Sequence, residues 1–252
     1  MSNKNPSATI VANEWITPTI REIKLKFNQG YEFSYTRGQF ISVHLPDPAD
    51  PSTLLRRSYS IASLQDSTNQ VSDIEIVLTI LDDGLASQFF LHADIGTTVE
   101  ISGPYGALTL ADDLPDRLFL VATSTGVAPF RTMLPQLASL VDAGAELDIE
   151  LILGVKNPDE ALFASDFRQF ATEHPRFQFN LCYSRSADLD LKQDEYSGYV
   201  QHRLEALAPN PENSLVYLCG NPNMIDNAYK LLTERGFSPR QVKREKYVLS
   251  RR

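Results

Sequence analysis

The chain has 252 residues, 42% hydrophobic and 22% charged, an ordinary folded composition with length enough for two cores. Its 23 basic and 32 acidic side chains leave a net charge of −9, which argues against general nucleic-acid binding. No apolar run approaches the roughly 20 residues of a membrane span. The polar opening MSNKNPSA lacks a signal-peptide core, so a cytoplasmic location is expected.

Up to about residue 112 the pattern predicts short antiparallel strands. Ile23, Leu25 and Phe27 alternate in REIKLKF, as do Ile41, Val43 and Leu45 in FISVHLP. Ile74, Ile76, Leu78 and Ile80 do the same in DIEIVLTIL. Period-two patterning of this kind marks half-buried strands, here separated by turn residues such as PDPADPS. Between them RRSYSIAS, Arg56 to Ser63, puts two arginines, a tyrosine and three serines on a strand. Several such strands in about a hundred residues predict a small barrel or sandwich.

After ADDLPD the pattern becomes apolar strand, turn, helix. RLFLVA, LDIELIL, FQFNLCY and SLVYLCG read as short buried strands, with a last one near QVKREKYVL. In NMIDNAYKLLTERG, Met224, Ala228 and Leu231 share a helical face, and Gly236 suits a left-handed end cap. Pro135 conflicts with the helix around TMLPQLASL unless that helix starts only a few residues earlier. Strands alternating with helices predict a parallel sheet. Two domains are therefore expected, residues 1–112 and 113–252.

Open parallel sheets bind ligands beyond the carboxyl ends of their strands. The turns to read are TSTGVAPF, KNPDEALF, SRSAD and NPNMID. Small residues there admit a close backbone approach, and helix N-termini offer amides to a phosphate. Cys182 and Cys219 are too few for an iron–sulfur cluster, and His44, His92, His174 and His202 have no metal-ligand spacing.

Taken together the motifs resemble the ferredoxin–NADP reductase superfamily over nearly the whole chain. Arg57-Ser58-Tyr59-Ser60 is similar to its Arg-x-Tyr-Ser flavin motif, and Gly84-Leu85-Ala86-Ser87 to its Gly-x-x-Ser pyrophosphate turn. Gly103-Pro104-Tyr105-Gly106 resembles the Gly-Pro-x-Gly turn that closes the flavin domain. Thr125-Gly126-Val127-Ala128-Pro129 resembles the nicotinamide-nucleotide turn, and Cys219-Gly220-Asn221-Pro222 with Met224 the Cys-Gly-x-Pro-x-Met motif. The resemblance implies a Greek-key β-barrel holding FAD, followed by an α/β domain binding NADP or NAD.

It also implies roles. Arg57 would neutralise pyrophosphate, Tyr59 lie against the isoalloxazine ring and Ser60 hydrogen-bond near flavin N5. Leu78 and Thr79 would complete the flavin contacts, Thr79 standing where many members have Lys or Arg. Cys219 and Glu245 would lie near the reacting rings, and Tyr247 could cover the far face of the flavin. Ser184-Arg185 matches the pair that receives the 2′-phosphate of NADPH, although Tyr199 stands where a second basic residue is common. Thr123 and Ser124 replace two small residues, and Arg37-Gly38-Gln39-Phe40 replaces Pro-Gly-Gln-Phe.

The implied activity is electron transfer between NADPH and ferredoxin or flavodoxin. Residues 240–252 carry a local charge of +5, suited to an acidic protein partner. Two alternatives stand beside it. SGYVQHRL resembles the Gly-Tyr-Val turn of NADH-using oxygenase reductases, and a flavin-binding subunit without independent turnover is the other.

Overall fold

The computed structural model describes residues 5–28, 30–186 and 190–247. Two compact units divide between Thr109 and Leu110.

The first unit contains β1 (Ser7–Trp15), β2 (Ile20–Phe27), β3 (Phe40–Asp47), β4 (Asp50–Ser60), β5 (Asp73–Thr79), α1 (Leu85–His92) and β6 (Thr98–Tyr105). The strands form an antiparallel sheet in the order β4-β3-β6-β1-β2-β5. Its two edges meet through an Ile61–Ile76 bridge and a 2.8 Å bond from Ala62 N–H to the Glu75 carbonyl. That closure removes the free edges an open sheet would expose. The alternation read from the sequence fills the interior. Ile23, Leu25, Ile41, Val43, Leu45, Ile74 and Ile76 are fully buried, and Phe27 and Leu78 nearly so. Ile80 lies past the end of β5 and is half-buried.

Two readings need correction. PDPADPS is not one long turn. The β3–β4 ladder runs to Asp47 opposite Asp50, leaving only Pro48 and Ala49 to turn. The aspartates cap it locally: Ala49 N–H donates to Asp47 Oδ1 at 2.9 Å and Ser52 N–H to Asp50 Oδ1 at 3.1 Å. Likewise Gly103-Pro104-Tyr105 forms the end of β6 rather than a turn, with Tyr105 paired to Phe40.

The second unit alternates β7 (Arg117–Thr123), α2 (Ala128–Asp142), β8 (Asp148–Val155), α3 (Ala164–Glu173), β9 (Phe177–Tyr183), β10 (Glu195–Ser197), α4 (Val200–Ala206), β11 (Ser214–Gly220), α5 (Pro222–Glu234) and β12 (Val242–Lys246). All six strands are parallel, in the order β10-β9-β8-β7-β11-β12. The chain runs outward from β7 to β10, then returns to the other side of β7. The order thus reverses between β7 and β11, which makes the loops after those two strands the switch-point loops. No described helix is long and apolar enough to cross a membrane.

Pro135 lies well inside α2, so the expected late start of that helix is wrong. Proline there removes the N–H that would reach the Arg131 carbonyl, yet the packed face holds the helix: Phe130, Met133, Leu134 and Leu137 are buried. On α5 the buried stripe is Met224, Ile225, Ala228 and Leu232, one residue beyond the expected Leu231. Gly236 follows with φ +91, as a left-handed cap requires.

Candidate functional site

Strand register decides what each side chain of Arg57-Ser58-Tyr59-Ser60 can do. Arg57 pairs with Val43 and Tyr59 with Ile41, both residues of the barrel interior, so these two point inward. Arg56 and Ser58 face the other way and are exposed. Ser58 Oγ lies 3.1 Å from Ser42 Oγ on that outer face. Ser60 is buried, and Tyr59 packs edge-on to Phe90 at 6.2 Å between ring centroids. Burial pushes the Tyr59 phenol above its ordinary range. Leu78 belongs to the core, so only its backbone can serve a ligand, while Thr79 is half-buried at the end of β5.

Arg57 carries the unit's clearest sign of a missing partner. Its Nη1 donates to the Arg56 carbonyl at 2.8 Å, but Nη2 is enclosed and has no acceptor. A buried guanidinium nitrogen without an acceptor is costly, and an anionic ligand removes that cost. The start of α1 has the same character. Gly84 precedes it in extended geometry, no side chain caps it, and its first turn holds no acid. The amides of Leu85, Ala86 and Ser87 therefore open a helix whose dipole favours negative charge. Ser87 Oγ is occupied in accepting from Leu81 N–H at 2.9 Å, and a Cβ on Gly84 would come within 2.9 Å of it. A pyrophosphate fits both features.

In the second unit the two switch-point loops nearly touch. A Cβ on Gly126 would fall 2.5 Å from the Cys219 carbonyl oxygen and 2.7 Å from Gly220 Cα. Gly220, at φ +122, lies equally close to Thr123. Thr123 is the link that sequence reading missed: its Oγ1 accepts from Asn221 N–H at 2.9 Å. Ser124, one of the two residues where small glycines were expected, takes φ +50, a conformation that favours glycine. Thr125 lies within the single 3₁₀ turn Ser124–Val127 that leads into α2, and Val127 and Ala128 are core residues that offer backbone only. Asn221 caps α5, accepting from Asn223 and Met224 N–H at 2.9 and 3.3 Å; Pro222 occupies the first turn and Met224 packs into the core.

Cys219 is completely buried, opposite Glu245 in the β11–β12 register. Burial pushes its thiol well above the ordinary range, Glu245 adds to that, and a hydrogen bond from the Tyr247 side chain opposes it. Tyr247 N–H also donates to the Gly220 carbonyl at 2.8 Å. Cys219, Glu245 and Tyr247 thus form one cluster at the end of the sheet. Within the basic segment, Lys246 pairs with Asp226 at 2.6 Å, Arg244 lies 3.7 Å over the Tyr229 ring and Lys243 lies 5.2 Å over Tyr217. Residues 248–252, with Arg251 and Arg252, fall outside the described residues.

Ser184 and Arg185 follow β9 and are exposed. Their backbone N–H groups donate to the Val155 and Lys156 carbonyls at 3.0 and 2.9 Å, and the Ser184 hydroxyl also donates to the Val155 carbonyl at 3.4 Å. Among the described residues no cluster of His, Cys, Asp and Glu is arranged to hold a metal.

Residues 7–110 match the model of the oxidoreductase FAD-binding domain, and residues 120–230 that of the oxidoreductase NAD-binding domain. The toluate 1,2-dioxygenase electron transfer component of Pseudomonas putida is 29% identical over 220 residues, 87% of this chain and 60% of that protein. Ferredoxin–NADP reductase B of Sorangium cellulosum is 27% identical over 247 residues, 95% of this chain and 96% of that protein. A ferredoxin NADP+ reductase from Neisseria gonorrhoeae, solved with bound FAD and NADP, has the same fold. Its TM-score is 0.81 at 20% identity, covering 97% of this chain and 99% of that one.

An antiparallel FAD-binding unit followed by a parallel NAD(P)-binding unit defines a flavin-dependent oxidoreductase. The chain belongs to the ferredoxin–NADP reductase superfamily.

Proposed function

We propose that the protein takes electrons from NADPH and passes them through FAD to a small carrier protein, a ferredoxin or flavodoxin. The observation behind this reading is the buried, acceptor-less Arg57 Nη2 in a chain that also has a small-residue switch point for a nicotinamide nucleotide. Bound FAD supplies the exchange between two-electron hydride chemistry and single-electron transfer. The protein's residues bind and orient. Arg57 and the amides of Leu85, Ala86 and Ser87 hold pyrophosphate, and Tyr59 lies against the flavin. Ser60 hydrogen-bonds near N5 and steadies the proton there.

Gly126, Gly220 and Asn221 admit the coenzyme backbone, and Glu245 with Cys219 and Tyr247 lines the reacting end. The identity of the protein acceptor is read from Sorangium ferredoxin–NADP reductase B, with which this chain aligns almost end to end. An NADH-using reductase component for an oxygenase is the second reading. It is favoured by Tyr199, 58% exposed where a second basic residue would suit NADPH, and by the toluate dioxygenase relative.

Coenzyme preference is assigned to Ser184 and Arg185, whose hydroxyl and planar fork suit a phosphate monoester. Arg185→Ala is expected to lower kcat/KM for NADPH roughly 10-fold or more, the equivalent of about 1.5–3 kcal/mol for a charge-assisted contact. NADH should be almost unaffected. Steady-state rates with ferricyanide as acceptor test this; an unchanged NADPH-to-NADH ratio would remove the assignment.

A further inference from the structure

Trp15 is the chain's one tryptophan, and it stands 49% exposed at the end of β1. Arg21, its partner in the β1–β2 register, lies over the indole, 5.0 Å from the ring centroid. That guanidinium is itself fixed. Nε donates to Asn13 Oδ1 at 2.7 Å and Nη2 to the Asn13 carbonyl at 2.5 Å. Asn13 Nδ2 in turn donates to the Phe90 and Ala93 carbonyls at the end of α1, at 2.7 and 3.3 Å. Arg21 covers one face of the ring, so the exposure belongs to the other face and the rim.

The course of the strand shows which end of α1 the indole approaches. Gly96 N–H, just past the helix, donates to the Ile10 carbonyl at 2.8 Å, while Asn13 reaches back to Ala93 and Phe90. β1 and α1 thus run side by side in opposite directions, and the two residues beyond Asn13 lead towards the start of the helix. There Arg21 pairs with Leu78 and Ile20 with Thr79, and Ile80 N–H donates to the Thr19 carbonyl at 2.8 Å. Two strand spacings, about 10 Å, separate Trp15 from Leu78. Leu81 comes next, and a Cβ on Gly84 would stand 3.4 Å from its Cβ. Trp15, Ile16 and Leu81 are all exposed, an apolar shelf beside the turn that opens α1. Asp82 and Asp83 bring exposed carboxylates to that turn, which disfavour a further anion but not an uncharged planar ring.

We propose that this shelf receives the adenine of FAD, with Trp15 stacked on the base, and so selects FAD over FMN. The proposal rests on the reading that Arg57 and the amides of Leu85, Ala86 and Ser87 hold the pyrophosphate. Every base presents an uncharged π face, which an exposed aromatic ring can cover. Because the bonds through Arg21 and Asn13 already orient the indole, little freedom is lost when the base arrives.

The test uses the full chain, stripped of flavin and titrated with FAD and FMN in parallel. Trp15→Ala should raise the dissociation constant for FAD roughly 5- to 100-fold, the range of base stacking on an aromatic side chain. FMN has no adenine and should bind the variant as it binds the unmodified protein. Trp15→Phe should recover most of the loss, since it keeps an aromatic face. Tryptophan emission comes from Trp15 alone, so acrylamide should quench it less in the FAD-loaded protein than in the FMN-loaded one. An equal loss for both flavins, no loss for either, or equal acrylamide quenching would overturn the proposal. Arg57→Ala separates the layers. If it binds FAD as tightly as the unmodified protein, the pyrophosphate reading itself fails and takes this proposal with it. If it loses FAD while Trp15→Ala keeps the original preference between the flavins, only the role of Trp15 is lost.

Discussion

Arg57→Ala should release FAD. The guanidinium has one nitrogen satisfied by its own neighbour's carbonyl and another enclosed with nothing to donate to. An anion at that nitrogen gains a charge-assisted bond and ends the isolation of a buried polar group, so removing the side chain forfeits both effects. A loss of about 1.5–3 kcal/mol corresponds to a dissociation constant raised roughly 10- to 150-fold. Arg57→Lys should recover only part of this, because an ammonium lacks the planar fork. Arg56→Ala is the matched control, since Arg56 is exposed on the opposite face of β4. Flavin retained after ultrafiltration, measured by absorbance and identified as FAD by mass, is the readout. Equal retention by Arg57→Ala and Arg56→Ala would contradict the assignment.

Gly126→Ala should be the most damaging single methyl in the second unit. The added carbon would meet three backbone atoms of one peptide unit: Cys219 O at 2.5 Å, Gly220 Cα at 2.7 Å and Cys219 C at 2.8 Å. Those atoms belong to a fully buried strand in register with β7, so neither partner can retreat without breaking the ladder. A destabilisation of about 3 kcal/mol or more is expected, at the upper end of overpacking effects. For a chain of this size that lowers Tm by roughly 6–12 °C. Gly144→Ala separates packing from the loss of glycine as such. Its Cβ would meet nothing within 4 Å, leaving only the strain of φ +94, about 1–2 kcal/mol. Thermal unfolding in which Gly126→Ala melts with the unmodified protein would show that the two loops are not in contact.

The barrel strands were legible because period and burial agree: the alternating Ile23, Leu25 and Phe27 of β2, Ile41, Val43 and Leu45 of β3, and Ile74, Ile76 and Leu78 of β5 are all buried. The same period told which way Arg57 points. Where local chemistry and pairing compete, the sequence misled. Prolines and aspartates hid the start of β4, and Pro135 hid the middle of α2. β10 has three residues, too few for any period to appear.

The remaining features depend on partners distant in the chain. The Thr123–Asn221 bond spans 98 positions, and the enclosure of Cys219 by Glu245 and Tyr247 follows from the parallel β11–β12 register. His202 was passed over for metal binding because it has no ligand spacing. Its closeness to Gly198, where a Cβ would stand 3.3 Å from its Nδ1, depends on a β9–β10 pairing that no local pattern announces.

The central claim is that reduced nicotinamide delivers electrons through FAD to a carrier protein. Anaerobic titration of the purified, FAD-loaded protein with NADPH tests it most directly, with oxidised ferredoxin or flavodoxin added at the end point. The account predicts that the yellow flavin absorbance bleaches with about one NADPH per FAD, as two-electron hydride transfer requires. It should return when the carrier is added, as the carrier becomes reduced. Absorbance that stays unchanged through excess NADPH and NADH, in protein shown to hold FAD, would contradict it.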